Sequence, residues 1–250
     1  MDDNTRRSFI KGSILLGAAM TIPAKDSAYA FNHSIGSSDM KILFQGDSIT
    51  DGNRSRDNDW NHVMGHGYQY IVSSKLWYEH PDRKFHFFNR GISGNKVTDL
   101  AARWQTDALE IKPDVLSILV GVNDANEAVK GNLKFTAQSY KEGYRELIDR
   151  SKSENPNLKL VIGESFLLPV GAVKANWERW TDEVAQRQVI AKDIAREFNA
   201  TFVPYQTAFN ESLKRAPAEY WIWDGIHPMP AGHELMAREW LKAVTKARLL

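Results

Sequence analysis

MKILFQGDSITD, at residues 40–51, predicts a buried strand that is followed at once by a serine. The run from Met40 to Phe44 is short and apolar enough for a strand covered on both faces. The residues from Gln45 to Asp51 then lead into a polar loop, so the strand presents Ser48 at the mouth of a site. A serine hydroxyl becomes a nucleophile only when a base removes its proton and donors receive the oxyanion. A catalytic interpretation therefore requires a base and donors elsewhere in the chain.

Apolar and amphipathic segments alternate along the rest of the chain. The predicted strands are residues 41–44, 85–88, 115–120, 158–162 and 201–203, and the predicted helices are residues 67–80, 97–111, 135–153, 177–199 and 234–247. Strands that alternate with helices predict an α/β fold with a parallel sheet and right-handed crossovers. Ligands bind beyond the carboxyl ends of the strands in such a sheet, so the loops there are expected to converge on one site.

The composition is ordinary for a soluble domain with one core, since 42% of the 250 residues are hydrophobic and 25% are charged. The chain contains no cysteine, which excludes disulfides, thiolate metal ligands and cysteine nucleophiles. The net charge is +1 and no basic block occurs, which argues against a nucleic-acid partner. The same neutrality predicts no attraction of the mature chain to an anionic membrane.

Residues 1–30 have the layout of an export signal. Thr5–Lys11 contains paired arginines and resembles a twin-arginine signal, Gly12–Ile22 is weakly apolar, and Ala28–Ala30 offers small residues at a cleavage point. We therefore expect export to the periplasm or the extracellular space and a functional domain at residues 31–250. A cytosolic protein with a basic start and an uncleaved membrane tether are the alternatives.

Asp224 and His227 lie three residues apart before the last predicted helix and supply the partners that Ser48 needs. A histidine that accepts a serine proton requires a carboxylate to fix its tautomer and to stabilise the imidazolium. The expected oxyanion donors are the backbone N–H groups of Ser48 and Gly94 and the side-chain amide of Asn123. Each residue also has a structural interpretation: Ser48 as a helix N-cap, Gly94 as a turn glycine and Asn123 as a loop cap.

Three residues are candidates for lining the substrate site: Trp60, Asn95 and Trp223. Trp60 lies in the long polar loop between residues 51 and 67, and loops of this length tend to be functional. Trp223 precedes Asp224 and is the candidate for the acyl pocket. Trp77, Trp104 and Trp240 lie on helix faces and are expected in the core.

Several further polar residues are expected to have structural roles. Asp47 and Asp124 are predicted to hold loops, while Asp51 and Asn95 either hold loops or contact the site. His62 and His66 have the spacing of helical metal ligands, but no acidic third ligand accompanies them, so surface positions are expected. His233 is predicted to be structural, and no metal site is predicted.

Four blocks of sequence resemble those of the SGNH (GDSL-like) esterases. They are Gly46–Ile49, Gly94, Gly121–Asp124 and Asp224–His227, and they occur in the order of the family over most of residues 31–250. The resemblance implies a flavodoxin-like three-layer α/β/α sandwich whose five-stranded parallel sheet has the order 2-1-3-4-5. It also implies that catalysis uses neither a metal nor an organic cofactor.

A more specific similarity is to the acetylxylan esterases of this family. The matching stretches are Gly46–Asp51, Asn89–Leu100 with Arg103 and Trp104, Gly121–Asp124 and Trp223–His233. This resemblance implies a serine esterase that removes O-acetyl groups from acetylated plant polysaccharide. The acetylated carbohydrate is then the expected partner of the protein. The alternatives are a lysophospholipase, thioesterase or aryl esterase on the same scaffold, or a non-catalytic carbohydrate-binding protein. The sequence leaves open the acetylated sugar position and the assembly state, a homo-oligomer included.

Overall fold

A sheet of five parallel strands forms the centre of the computed structural model, which describes residues 39–57, 59 and 61–250. The strands are β1 (Met40–Gly46), β2 (Phe85–Asn89), β3 (Val115–Leu119), β4 (Lys159–Gly163) and β5 (Thr201–Val203). Their spatial order is β2-β1-β3-β4-β5, which confirms the α/β class and the order that the family resemblance implies. The predictions for the export signal at residues 1–30 and for Trp60 lie outside the described residues.

Helices cover both faces of this sheet. They are α1 (Ser48–Asp51), α2 (Tyr68–Glu79), α3 (Val97–Trp104), α4 (Val122–Val129), α5 (Ala137–Glu154), α6 (Trp177–Glu197), α7 (Tyr205–Ser212), α8 (Ala218–Trp221) and α9 (Pro230–Lys246). Helices α2, α7 and α9 pack together on one face, and α3, α5 and α6 on the other. No helix in the described part of the chain is long and apolar enough to cross a membrane.

Strand β1 contributes to two hydrophobic cores because its side chains alternate between the faces of the sheet. Ile42 and Phe44 pack in the core beneath α2 and α9, whereas Leu43 packs in the core beneath α3 and α5. All three side chains are fully buried. This two-sided burial explains why the strand reads as an unbroken apolar run rather than as an alternating pattern.

The predicted core tryptophans divide into two groups. Trp104 and Trp240 are fully buried, and their indole N–H groups donate to Ser151 Oγ at 2.9 Å and to Ser117 Oγ at 3.0 Å. Trp77 is 36% exposed and packs edge-on against Phe87, so its predicted core position is wrong. It lies near the end of α2 and packs on β2, which is an edge strand of the sheet.

Helix boundaries are where the structure departs most from the sequence-based prediction. The helix predicted over residues 97–111 ends as α3 at Trp104 and continues as a π-helical turn, Gln105–Leu109. The last helix begins at Pro230 rather than at residue 234, since proline is well suited to a first helical position. The helices α1, α4, α7 and α8 were not predicted because four to eight residues are too few for a clear apolar period.

Candidate active site

Ser48 lies just beyond the carboxyl end of strand β1, which pairs with β2 and β3. The chain leaves β1 at Gly46, and Asp47 then caps α1 by accepting the Ile49 N–H on its Oδ1 at 3.0 Å. Ser48 is thus the first residue of α1 and not its N-cap, so the structural alternative for this serine is wrong. The N-terminus of a helix carries a partial positive charge, which favours negative charge developing close to Ser48.

Ser48, His227 and Asp224 form a continuous hydrogen-bonded chain. Ser48 Oγ lies 2.8 Å from His227 Nε2, and His227 Nδ1 lies 2.6 Å from Asp224 Oδ2. In the neutral imidazole whose Nδ1–H donates to Asp224, the Nε2 lone pair accepts the serine hydroxyl. The fold thereby brings together three residues of which the first and last are 179 positions apart.

The turn from Asp224 to His227 has little conformational freedom. The backbone N–H groups of Ile226 and His227 both donate to Asp224 Oδ1, at 2.9 and 2.7 Å, as in an Asx-turn. Gly225 has a φ of +98°, and a Cβ there would lie 2.2 Å from a methyl carbon of Val173. Only glycine fits this position, and the turn holds the carboxylate and the imidazole in one geometry.

The electrostatics of this pair suit a general base. The hydrogen bond to Asp224 raises the pKa of His227 above its ordinary value, against the opposing effect of burial. Burial alone would raise the pKa of Asp224, but the hydrogen bonds from the His227 side chain and backbone outweigh it and lower that pKa. Asp224 therefore stays ionised and stabilises a proton that the imidazole accepts.

The loop that carries Gly94 runs beside the end of β1. The backbone N–H of Arg90 donates to Phe44 O at 2.8 Å, and that of Ile92 donates to Gly46 O at 3.1 Å. Gly94 has a φ of +81°, and no atom lies within 4 Å of the position that a Cβ would occupy. Glycine is therefore favoured by the backbone conformation rather than by crowding, and space beside it is open.

Asn123 occupies the first turn of α4 and contacts the same loop. Its Nδ2 donates to Asn95 O at 3.1 Å, and the second hydrogen of the amide is available for another acceptor. The structure thus brings Asn95 and Asn123 together. Three loops, those after β1, β2 and β3, meet at this edge of the sheet.

Sequence reasoning assigned no role in the site to Arg103, which holds Asn95, or to Gln45, which contacts Arg103. Arg103 Nε donates to Asn95 Oδ1 at 2.9 Å, and its Nη1 donates to Gln45 Oε1 at 3.1 Å and to Asp107 Oδ2 at 2.8 Å. The Asn95 side chain is therefore engaged with the protein itself. A glutamine inside an apolar strand was the available signal, because a fully buried amide requires partners.

Asp47 and Asp124 are buried carboxyl groups close to the site. Burial raises the pKa of Asp47 to about 7 and that of Asp124 to about 6. Both oxygens of Asp124 lie 3.3 Å from the Val97 backbone N–H, at the start of α3. Both residues hold backbone N–H groups in place, the role that the sequence predicts for them.

Trp223 is the exposed aromatic side chain of this site. Its ring is 61% exposed and lies over the His227 ring, with 6.2 Å between centroids and 28° between planes. Its backbone N–H donates to His227 O at 3.2 Å. The exposed indole next to the imidazole offers an apolar platform at the entrance to the site.

His62, His66 and His233 lie outside the hydrogen-bonded chain from Ser48 to Asp224. His62 and His66 are exposed, and His62 pairs with Asp59. His233, in the first turn of α9, accepts the Tyr68 N–H on Nδ1 at 3.2 Å, and burial lowers its pKa to about 4. Among the residues that the structure describes, no group of three or more His, Cys, Asp or Glu side chains could hold a metal ion.

Comparison with known proteins gives consistent matches over most of the chain. A family model described as GDSL-like Lipase/Acylhydrolase matches residues 44–235. An acetylxylan esterase from Geobacillus stearothermophilus is 35% identical over 218 residues, which cover 84% of this chain and 95% of that protein.

Solved structures agree with the sequence matches. The acetylxylan esterase Axe2 from Geobacillus stearothermophilus superposes with a TM-score of 0.74 at 32% identity, covering 83% of this chain and 95% of that one. A Parabacteroides merdae protein assigned to the GDSL-like lipases superposes with a TM-score of 0.80 at 39% identity, covering 84% of this chain and 97% of that one.

Proposed function

The chain belongs to the GDSL-like lipase/acylhydrolase family, and we propose that it is a serine esterase that removes O-acetyl groups from acetylated plant polysaccharide or its oligosaccharides. The observation that carries the proposal is the hydrogen-bonded chain from Ser48 Oγ through His227 to Asp224. Esterase chemistry agrees with the family, and the acetylated carbohydrate is the more specific part of the proposal.

In the first half of the reaction Ser48 is acetylated. Ser48 Oγ attacks the carbonyl carbon of the ester while His227 Nε2 takes the hydroxyl proton and Asp224 stabilises the imidazolium. The tetrahedral adduct then collapses, the bond from the carbonyl carbon to the sugar oxygen breaks, and His227 donates its proton to that oxygen. The sugar leaves with a free hydroxyl group.

In the second half water regenerates the serine. His227 Nε2 removes a proton from a water molecule that attacks the acetyl carbonyl. The second tetrahedral adduct then collapses, the bond from the acetyl carbon to Ser48 Oγ breaks, His227 returns the proton to Oγ, and acetate is released. In both adducts the oxyanion accepts hydrogen bonds from the N–H groups of Ser48 and Gly94 and from the Asn123 amide. One such donor contributes on the order of 3 kcal/mol to lowering the barrier.

The exposed face of Trp223 supports a carbohydrate substrate. The C–H face of a pyranose ring packs against flat aromatic surfaces, and an exposed indole beside His227 places such a surface next to the reacting ester. The acetylxylan esterase relatives point the same way. Trp60 and Asn95 are retained as proposed contributors to the substrate site.

Replacement of the nucleophile tests the reaction. We expect Ser48→Ala to abolish acetate release from acetylated xylan fragments, because only Oγ can form the acetyl-enzyme, while the circular dichroism spectrum stays unchanged. Mass spectrometry of the products from acetylated xylan, pectin and glucomannan fragments identifies the substrate. Acetate release by Ser48→Ala at the wild-type rate would remove the triad from the mechanism.

The chain length of the acyl group separates the proposal from its rivals. A deacetylase is expected to turn over acetyl esters faster than octanoyl esters, whereas a lysophospholipase or a long-chain thioesterase prefers the longer acyl group. Faster turnover of octanoyl esters would refute the acetyl preference. Carbohydrate binding without hydrolysis by the wild-type protein would instead support the non-catalytic alternative.

Replacement of Trp223 tests the carbohydrate platform. We expect Trp223→Ala to raise KM for acetylated xylan oligosaccharides about 10-fold while changing KM for 4-nitrophenyl acetate less than about 2-fold, since only the former has a sugar to stack. Tyr78→Ala, which removes an 87% exposed ring from α2, is the control and is expected to change neither. Equal effects of Trp223→Ala on both substrates would exclude the platform.

We also propose that the protein is exported and acts outside the cytoplasm. The support is the pattern of residues 1–30, whose removal leaves residues 31–250 with no net charge. N-terminal sequencing of the protein recovered from a periplasmic fraction is expected to show a start near residue 31. An intact N-terminus on the active protein in the cytosol would contradict this proposal.

A further inference from the structure

Asp51 ends the same short helix that Ser48 begins. The Asp51 backbone N–H donates to Asp47 O at 2.8 Å, and the Gly52 N–H donates to Ser48 O at 3.1 Å. Asn89 Nδ2, at the end of β2, donates to both Thr50 O and Asp51 O, at 2.7 and 3.1 Å. The position of Asp51 relative to Ser48 is thus determined by hydrogen bonds within and around α1.

The carboxylate of Asp51 contacts the loop after β2. Asp51 is 3% exposed, and its Oδ2 accepts hydrogen bonds from Ser93 N and Ser93 Oγ, both at 3.0 Å. Arg56 donates to both carboxylate oxygens, at 3.0 and 2.7 Å, and the Arg54 N–H donates to Oδ1 at 3.2 Å. Five hydrogen bonds converge on this side chain, and two of them come from Ser93.

Ser93 directly precedes Gly94, so the hydrogen bonds from Ser93 to Asp51 also affect the Gly94 N–H. The N–H of Gly94 belongs to the planar peptide that joins it to Ser93, so fixing Ser93 restricts the direction in which that N–H points. Gly94 itself has a φ of +81° and no atom within 4 Å of a Cβ position. The Asn95 N–H donates to Ile92 O at 3.1 Å and closes the turn around the Ser93–Gly94 peptide. Glycine has a wide choice of conformations, so the tether on Ser93 adds to this hydrogen bond in holding the donor in one direction.

The charge of Asp51 suits this tether. Burial alone would raise the pKa of Asp51, but the hydrogen bonds from Arg56 and from the Ser93 backbone and hydroxyl outweigh it and lower that pKa. The carboxylate therefore remains ionised, and hydrogen bonds to an ionised acceptor are roughly twice as strong as neutral ones. An asparagine in its place would lose the charge and present an N–H group to donors on at least one side.

We propose that Asp51 is a positioning residue that couples the nucleophile to the oxyanion hole by holding the Ser93–Gly94 peptide in register with Ser48. The inference rests on the proposed esterase function, in which the Gly94 N–H stabilises the oxyanion. Asp51 touches no reacting atom. Its effect is to keep two donors, the N–H groups of Ser48 and Gly94, aimed at one oxygen position throughout the reaction.

The test compares Asp51→Asn with Asp57→Asn, which makes the same chemical change at an exposed position of the loop that follows α1. A misdirected oxyanion donor reduces the stabilisation of the transition state but leaves the binding of the substrate unchanged. We expect Asp51→Asn to lower kcat for 4-nitrophenyl acetate about 10- to 100-fold with KM changed less than about 2-fold. Asp57→Asn is expected to retain both parameters.

A transition-state analogue distinguishes positioning from a purely structural role. A trifluoromethyl ketone forms an adduct with Ser48 that carries the oxyanion, so its inhibition constant is expected to rise in Asp51→Asn by the same factor by which kcat/KM falls. An unchanged kcat, or a reduced kcat without the matching rise in the inhibition constant, would overturn the proposal. If wild-type protein releases acetate and only this comparison fails, the esterase function stands and the positioning role is rejected.

A second pair of variants decides the question if Asp51→Asn does not fold. Ser93→Ala removes the hydroxyl contact and keeps the backbone one, and a drop in kcat of about 3- to 10-fold is expected. Ser93→Thr keeps a hydroxyl group on Cβ and is expected to retain most of the activity that Ser93→Ala loses. Equal kcat values in Ser93→Ala and wild type, or no recovery in Ser93→Thr, would refute the tether.

Discussion

At the scale of single residues, the proposed mechanism depends on the protonation state of His227. Its imidazole accepts the serine proton only while it is neutral, and Asp224 raises its pKa above the ordinary value of 6.5. Activity is therefore expected to fall as the pH decreases through a value above 6.5, a higher limit than a free imidazole would give. The carboxylate of Asp224 that holds the His227 ring also raises the pKa of that ring.

The pH dependence of kcat/KM for 4-nitrophenyl acetate measures this limit. In Asp224→Asn the acid limb is expected to move to lower pH, because the carboxylate that favours the imidazolium is gone, and kcat is expected to fall on the order of 10³- to 10⁴-fold. A wild-type rate that stays constant down to pH 5 would show that His227 is not the base.

Asp47 makes a prediction about stability rather than activity. Burial raises its pKa to about 7 from 3.8, so between about pH 4 and pH 7 the folded state keeps a proton that the unfolded state releases. Stability contributed by this group is therefore lost as the pH rises through that window, by at most about 1.4 kcal/mol per pH unit. Asp47→Asn keeps an acceptor for the Ile49 N–H and removes the titration.

Urea denaturation at pH 5 and at pH 7 tests this difference. The stability of Asp47→Asn relative to wild type is expected to increase between the two pH values. The exposed Asp82→Asn variant provides the baseline for a carboxylate in water. A relative stability of Asp47→Asn that is the same at both pH values would mean that Asp47 is ionised throughout.

At the scale of the element, the turn after α8 shows how much of the site depends on one glycine. Gly225 and Gly131 have similar φ values of +98° and +88°, but a Cβ at Gly225 would lie 2.2 Å from Val173, whereas at Gly131 the nearest atom is 3.9 Å away. Both alanine variants carry the backbone strain of a left-handed residue, about 1–2 kcal/mol. Only Gly225→Ala adds a steric clash within the Asp224–His227 turn.

We expect Gly225→Ala to lose about 1–3 kcal/mol more of unfolding free energy than Gly131→Ala and to lose most of its activity. Gly131→Ala is expected to keep wild-type kcat. Urea denaturation and initial rates with 4-nitrophenyl acetate give both quantities. Equal losses of stability in the two variants would indicate that the turn yields to the added methyl group.

At the scale of the whole molecule, Trp240 joins the last helix to the middle of the sheet. Its ring is fully buried against Phe44, 5.4 Å between centroids, and its N–H donates to Ser117 Oγ at 3.0 Å. The residue thus connects α9, which follows His227, to β1, which precedes Ser48. Packing of α9 therefore affects the segments that carry Ser48 and His227.

Truncation of this side chain is expected to affect the whole fold. Trp240→Ala should lower the unfolding free energy by about 3–5 kcal/mol, since it leaves a cavity in the core and removes the indole N–H that donates to Ser117 Oγ. Tyr78→Ala, at a side chain 87% exposed, is expected to change stability by less than about 0.5 kcal/mol. The free energies come from urea denaturation, and similar values for the two variants would contradict this account of the core.

Prediction from sequence worked best where the signal is local. The apolar run of β1 and the alternation of strands with helices were enough for the α/β class, because burial on both faces leaves a continuous hydrophobic pattern. The sequence does not predict the short helix α4 because eight residues span too few turns to establish a period. The core position predicted for Trp77 is wrong because the sequence does not show which strand lies at the edge of the sheet.

The amino-acid sequence by itself determined the chemical groups of this protein: a serine after a buried strand, and an aspartate and a histidine three residues apart. Only the tertiary structure decided that Ser48 Oγ and His227 Nε2, 179 residues apart, lie within 2.8 Å, and that Asp51 holds Ser93 beside Gly94. The physical reason is the separation along the chain over which each interaction acts. Hydrophobic periodicity and turn chemistry act between neighbours along the chain, whereas hydrogen-bond geometry and desolvation depend on segments that meet only after folding.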